Sequence, residues 1–266
     1  MIAPIIDVEW LREHPEAVLA DVRYYLDGRS GREAYEAGHL PGAIFVDLDA
    51  RLAAPASPEA GRHPLPDPQA FAATMGELGI GDDDVVVAYD DQGGIMAARL
   101  VWMLRATDHE AALLDGGLQA FDGPLAQGAE TRPPAHFTAR PFARVATPED
   151  AADPANAVVD ARQRERYLGE PHPLDVRSGH IPGARSLPCR ENLDADNRLL
   201  DLDRLREKLQ AAGVTGEAPV VAYCGSGVTA CHNLLVIEHA GLGQGRLYPG
   251  SWSQWSADPE RPVETG

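Results

Sequence analysis

The residues most able to do chemistry lie in one loop, Cys224-Gly225-Ser226-Gly227-Val228-Thr229. The apolar run Val220–Tyr223 precedes it, and a helical pattern over 229–240 follows. A thiol between a buried strand and a Gly-rich turn suits sulfur nucleophilicity. Glycines let successive backbone N–H groups turn inward as a concave nest. The start of the next helix adds unpaired N–H groups and the positive end of a dipole. These surroundings predict a lowered thiol pKa and a nucleophile active at neutral pH. The other two cysteines read differently. Cys231 lies two helical turns further on among apolar neighbours, and Cys189 follows Leu187-Pro188, so both read as packing. No C-x-x-C pair exists, which leaves a dithiol mechanism unsupported.

The elements that must position this loop come from an internal duplication. VLADVR (18–23), GHLPGA (38–43), DVVVAYD (84–90) and LLDGGLQAF (113–121) recur as AVVDAR (157–162), GHIPGA (179–184), APVVAYC (218–224) and LYPGSWSQW (247–255). The interval from Asp90 to Gly116 and that from Cys224 to Gly250 are both 26 residues. Two copies argue for a duplicated domain rather than a solenoid. Within each copy, short β-rich runs without polar alternation read as strands buried on both faces. Helical patterns at 67–78, 96–106, 201–212 and 229–240 lie between them. Asp67 and Asp201 sit where N-caps belong, and Gly79, Gly213 and Gly241 where helices end. The fold class is therefore α/β, two tandem domains, each a mostly parallel sheet flanked by helices. The Pro- and Gly-rich stretch 126–142 reads as a linker between domains at 1–125 and 143–266.

Composition excludes several classes. The 266 residues carry 23 Lys and Arg against 41 Asp and Glu, a net charge of −18. Such a surface repels nucleic acid and anionic lipid. No apolar run approaches a membrane span, and the N-terminus lacks the pattern of a secretory signal. Three cysteines are too few and wrongly spaced for a disulfide scaffold or a zinc site, which favours a reducing, cytoplasmic setting. Lys208 is the sole lysine and lies in a surface-helix pattern, against Schiff-base chemistry. Six positions beyond Cys224 stands Ala230, not the arginine that a cysteine phosphatase needs to grip a tetrahedral oxyanion.

The paired D-x-R and G-H-[LI]-P-G-A segments, the single cysteine loop and the terminal GSWSQW together resemble two-domain rhodanese-type sulfurtransferases over nearly the whole chain. The resemblance implies a ping-pong cycle through a Cys224 persulfide, with no metal or organic cofactor. The acceptor would be cyanide or a thiol, thioredoxin among them. The neutral C-G-S-G-V-T loop is closer to the 3-mercaptopyruvate branch than to the thiosulfate branch, which carries basic residues after the cysteine. The physical argument agrees, because thiosulfate is a dianion and Gly225, Ser226 and Gly227 offer it no positive charge. Thiosulfate transfer and a non-catalytic persulfide carrier remain the alternatives.

The same resemblance assigns roles residue by residue. Arg166 binds the donor, and Arg177 stands near the place of a second donor-binding arginine. His39 matches a histidine that forms a relay with Ser226, with Asp27 or Ser30 near the position of its acidic partner. Asp160 braces the active loop, Thr229 does so through its hydroxyl, and Gly225, Gly227 and Val228 complete the loop. Asp90 stands where the first copy would need a cysteine, so that copy reads as non-catalytic. Trp252 and Trp255 read as packing.

Overall fold

The computed structural model describes residues 1–266. Nine short strands form two parallel sheets. In the first, β1 (Ile5–Ile6), β2 (Val18–Asp21), β3 (Ile44–Phe45), β4 (Val86–Tyr89) and β5 (Ala111–Leu114) lie in the order β1-β5-β4-β2-β3. In the second, β6 (Ala157–Asp160), β7 (Arg185–Ser186), β8 (Val220–Tyr223) and β9 (Arg246–Leu247) lie in the order β7-β6-β8-β9. Every pairing is parallel. The central strands β4 and β8 are buried along their whole length, as their unbroken apolar sequence requires when helices cover both faces.

The helices Pro68–Glu77, Ala98–Ala106, Leu202–Ala211 and Ala230–His239 occupy the four amphipathic or apolar stretches. The Asp67 carboxylate accepts from the N–H groups of Gln69 and Ala70, and that of Asp201 from Arg204. Each cap thereby satisfies donors that a helix start leaves unpaired. Gly79, Gly213 and Gly241 follow three of these helices with φ between 76° and 80°, the left-handed conformation that ends a helix without Cβ strain.

The chain divides into two compact units with unexpected membership. Unit 1 holds Met1–Ala53, Pro66–Ala143 and Ala195–Leu199; unit 2 holds Ala54–Leu65, Arg144–Asp194 and Leu200–Gly266. The stretch 126–142, read from sequence as a linker, packs as part of unit 1. Ala135 N–H donates to Gly76 O, the Phe137 ring stacks 3.9 Å from His109, and Thr138 bonds Asp82. Its prolines mark an extended strap fastened by side chains rather than a free connector. Likewise, residues 54–65 leave the first half of the sequence to join unit 2.

The duplicated motifs fold into duplicated bonds. Asp21 and Arg23 form a buried bidentate pair, as do Asp160 and Arg162. Arg23 also donates to Gly38 O, and Arg162 to Gly179 O. The Leu40 N–H donates to Tyr89 Oη, and Ile181 N–H to Tyr223 Oη. In each copy the G-H-x-P-G-A histidine stacks on a tyrosine earlier in the chain. His39 lies 4.1 Å from Tyr35, and His180 lies 3.7 Å from Tyr167.

Candidate active site

Strand β8 ends at Tyr223 and delivers Cys224 to the carboxyl edge of the second sheet, where open α/β sheets bind ligands. The side chain of Cys224 is 2% exposed. The Gly227 N–H donates to its Sγ at 3.2 Å, and Gly227 adopts φ of 79°. A Cβ on Gly227 would meet Pro249 O at 2.5 Å, so the turn is fixed by backbone packing as well as by conformation. The N–H groups of Ser226, Val228 and Thr229 have no acceptor within the protein. They form the open remainder of the nest, at the start of helix Ala230–His239, and can receive an anionic group carried on the sulfur.

The GSWSQW segment braces the loop from outside. Ser251 Oγ accepts from Cys224 N–H, while Trp252 and Ser253 N–H donate to the carbonyls of Cys224 and Gly225. Trp252 and Trp255 are buried in the core beneath, so their rings pack while the backbone around them positions the loop. Cys231 Sγ donates to Gly227 O. Burial pushes the Cys189 thiol up to about 12, which keeps it protonated and unreactive at neutral pH.

Behind the loop lies a charged lattice. Asp160 is fully buried and fixes Arg162, whose guanidinium also lies 3.5 Å from Asp175. Arg166 forms a bidentate pair with Asp175, at 2.9 Å from Nε and 2.5 Å from Nη2. Asp160 thus holds Arg162, and no hydrogen bond links it to the cysteine loop. Arg166 does reach the loop: a Cβ on Gly225 would lie 3.3 Å from its Nη2.

Two expected site residues lie elsewhere. Arg177 donates from its guanidinium to the carbonyls of Trp255, Ser256, Asp258 and Arg261, and so ties down the C-terminal segment. With four carbonyls around it, the Arg177 guanidinium is committed to the C-terminal segment, and no hydrogen bond links it to the cysteine loop. His39 is fully buried in unit 1, its Nδ1 bonded to Tyr35 O. The same arrangement recurs at His180 with Tyr167 O, so the motif histidine is a repeated structural clasp. The histidine bonded to Ser226 is His63, its Nδ1 lying 2.7 Å from Ser226 Oγ. Neither candidate acidic partner of His39 serves a relay. Asp27 is exposed and paired with Arg29, and Ser30 caps the helix Gly31–Ala37.

Sequence reasoning missed His63 and its neighbour Arg62. Both belong to residues 54–65 of unit 2. Arg62 N–H donates to Ser253 Oγ, Nη1 donates to Leu174 O at 2.7 Å, and Nη2 would lie 2.8 Å from a Cβ on Gly225. The loop's own residues are neutral, yet two guanidiniums from other segments abut it. The pair Arg62-His63 in GRHPLPDP was the available signal: adjacent ionisable residues in a loop with no counterpart in the second copy. No group of three or more His, Cys, Asp or Glu side chains is arranged to hold a metal ion, and no helix is long and apolar enough to cross a membrane.

A reactive-cysteine nest at the carboxyl edge of one of two duplicated parallel sheets defines a class, and comparison with known proteins agrees. The rhodanese-like domain matches twice, over residues 7–123 and 146–258, and the chain belongs to that family. It is 41% identical over 269 residues to a probable 3-mercaptopyruvate sulfurtransferase of Pseudomonas aeruginosa, spanning 95% of this chain and 93% of the relative. It is 38% identical over 263 residues to a putative thiosulfate sulfurtransferase of Mycobacterium tuberculosis, spanning 95% and 92%. Its structure matches the 3-mercaptopyruvate sulfurtransferase from Leishmania major with a TM-score of 0.85 at 32% identity, covering 95% of this chain and 74% of that one. The protein is accordingly a sulfurtransferase.

Proposed function

We propose that the enzyme takes its sulfur from 3-mercaptopyruvate, holds it as a persulfide on Cys224, and passes it to a thiol or cyanide. The observation that carries the choice of donor is the 2.7 Å bond between His63 and Ser226, two residues beyond the thiol. Sulfite leaves thiosulfate as a stable anion and needs no proton. Pyruvate leaves mercaptopyruvate as an enolate, and its carbon must be protonated.

The step balances without an outside acid. The Cys224 thiolate attacks the donor sulfur, the S–S bond forms, and the C–S bond breaks with its electron pair going to carbon. The proton first held by the donor thiol ends on the pyruvate methyl group. Ser226 and His63 supply a hydroxyl–imidazole path for that transfer, which is general acid–base work suited to histidine. The resulting persulfide anion is received by the unpaired N–H groups of Ser226, Val228 and Thr229. In the second half-reaction the acceptor attacks the outer sulfur and the Cys224 thiolate leaves. A thiol such as thioredoxin is an acceptor of the required chemistry, and three free cysteines suit a reducing cytoplasm.

The test is steady-state kcat/KM with 3-mercaptopyruvate and with thiosulfate, using cyanide as the common acceptor, for the wild type and Ser226→Ala. The expected result is a preference for mercaptopyruvate. The variant should lose about 10- to 100-fold in kcat with that donor and little with thiosulfate. A wild-type preference for thiosulfate, or equal losses with both donors, overturns the choice of donor.

A further inference from the structure

Three guanidiniums stand around the cysteine loop, and their charges are not equally available. Arg162 is matched by Asp160, and Arg166 by Asp175, each through a bidentate pair. Arg62 has no carboxylate in salt-bridge range; its single side-chain bond is from Nη1 to the neutral Leu174 carbonyl. Its remaining donors, Nε and Nη2, have no protein partner. A Cβ placed on Gly225 would have Arg62 Nη2 as its nearest neighbour, with Nη2 and Nη1 of Arg166 next at 3.3 and 3.9 Å. Arg166 Nη1 is likewise unbonded. Two open guanidinium edges therefore meet over the one residue between Cys224 and Ser226 that has no side chain. Burial lowers the pKa of Arg62, the cost of holding an unmatched cation there. An anion arriving at that point would relieve it.

We infer that Arg62 is the specificity-determining residue for the donor: it supplies the unmatched positive charge that holds the donor's carboxylate, with Arg166 as the second, pre-neutralised edge. The inference rests on the mercaptopyruvate reading for the identity of the anion, though the charge argument holds for any anionic sulfur donor. The geometry suits a planar carboxylate, which takes parallel N–H bonds from guanidinium groups. The charge count also favours a monoanion. Arg162 and Arg166 each carry their own carboxylate partner, so Arg62 alone offers one unmatched positive charge, and a dianion would bring one negative charge more than it supplies. Leu174 O fixes Nη1 and leaves the far edge of Arg62 aimed at the loop, which makes residues 172–175 the support of the selector.

The test uses the full-length enzyme with Arg62→Gln and Arg62→Lys. KM and kcat are measured for mercaptopyruvate and for thiosulfate, along with the rate at which pre-formed persulfide is discharged by dithiothreitol. Arg62→Gln should raise the donor KM by about 30-fold or more, change kcat less than about fivefold, and leave discharge unchanged. Arg62→Lys should recover part of the loss, as a point charge without the planar fork. If the wild type instead prefers thiosulfate, the mercaptopyruvate reading fails, but a raised thiosulfate KM in Arg62→Gln still supports the role of Arg62. A KM within about twofold of wild type for both donors overturns the inference. So does a fall in kcat or in discharge rate at constant KM, which would assign Arg62 to the sulfur rather than to the donor.

Discussion

The loops after β4 and β8 are the same device in two states. Each follows a Val-Val-Ala-Tyr strand, and each has a glycine at the same place with a left-handed φ, 77° at Gly93 in one and 79° at Gly227 in the other. In the first, Asp90 is fully buried and fills the nest with its own carboxylate. Oδ1 accepts from Gln92 and Gly94 N–H at 2.7 and 2.8 Å, and Oδ2 from Met96 and Ala97 N–H at 2.8 and 3.0 Å. In the second, the shorter cysteine takes one N–H, from Gly227, and leaves others unpaired. The next position differs in the same sense. Asp91 accepts a bond from Tyr25 in the first loop, whereas Gly225 lies bare against two arginines in the second. An anion cradle that supplies its own anion is structure; one left a sulfur short of full is a reaction site.

Three substitutions break or sharpen this contrast. The largest effect is expected from Cys224→Ser, which keeps a small polar side chain in the nest but cannot hold sulfane sulfur. Turnover with either donor should fall by about a thousandfold or more, while the far-ultraviolet circular dichroism stays that of the wild type. Retained transfer would move the sulfur to another residue. Asp90→Asn puts an amide NH2 against N–H groups that now meet a carboxylate oxygen. It should destabilise the protein by about 2–4 kcal/mol in urea denaturation, with kcat unchanged where the protein remains folded. An unchanged urea midpoint would show that the first nest needs no anion. The smallest effect is expected from Gly225→Ala. Its methyl would press on the flexible ends of Arg62 and Arg166 rather than on backbone, so the fold should survive while the donor KM rises about three- to tenfold. An unaltered KM would mean that the arginines move aside without consequence for the donor.

The duplicated frame and the nucleophile were legible in the sequence because both are local. Strand, Gly-rich turn and helix are written consecutively from Val220 to Ala240, and the copies calibrate one another. The same duplication misled at His39. A histidine in G-H-x-P-G-A invites a catalytic role, and only the matching bonds of His39 to Tyr35 O and His180 to Tyr167 O show it to be a clasp. Arg177 misled through proximity, because spacing along the chain says nothing about which carbonyls a long side chain will meet. Arg62 and His63 lie where the copies differ, so motifs matched between the copies do not single them out. The 163-residue separation of His63 and Ser226 is closed by tertiary structure alone.

Residues 54–65 have a consequence for heredity. A duplicated gene ordinarily keeps the option of fission, each half able to go its own way. Here the coding sequence for the cysteine-bearing half, 144–266, specifies the nucleophile but neither the imidazole nor the unmatched guanidinium that attend it. A break in the reading frame between the two copies would therefore part the thiol from the imidazole bonded to Ser226, although both belong to one folded unit.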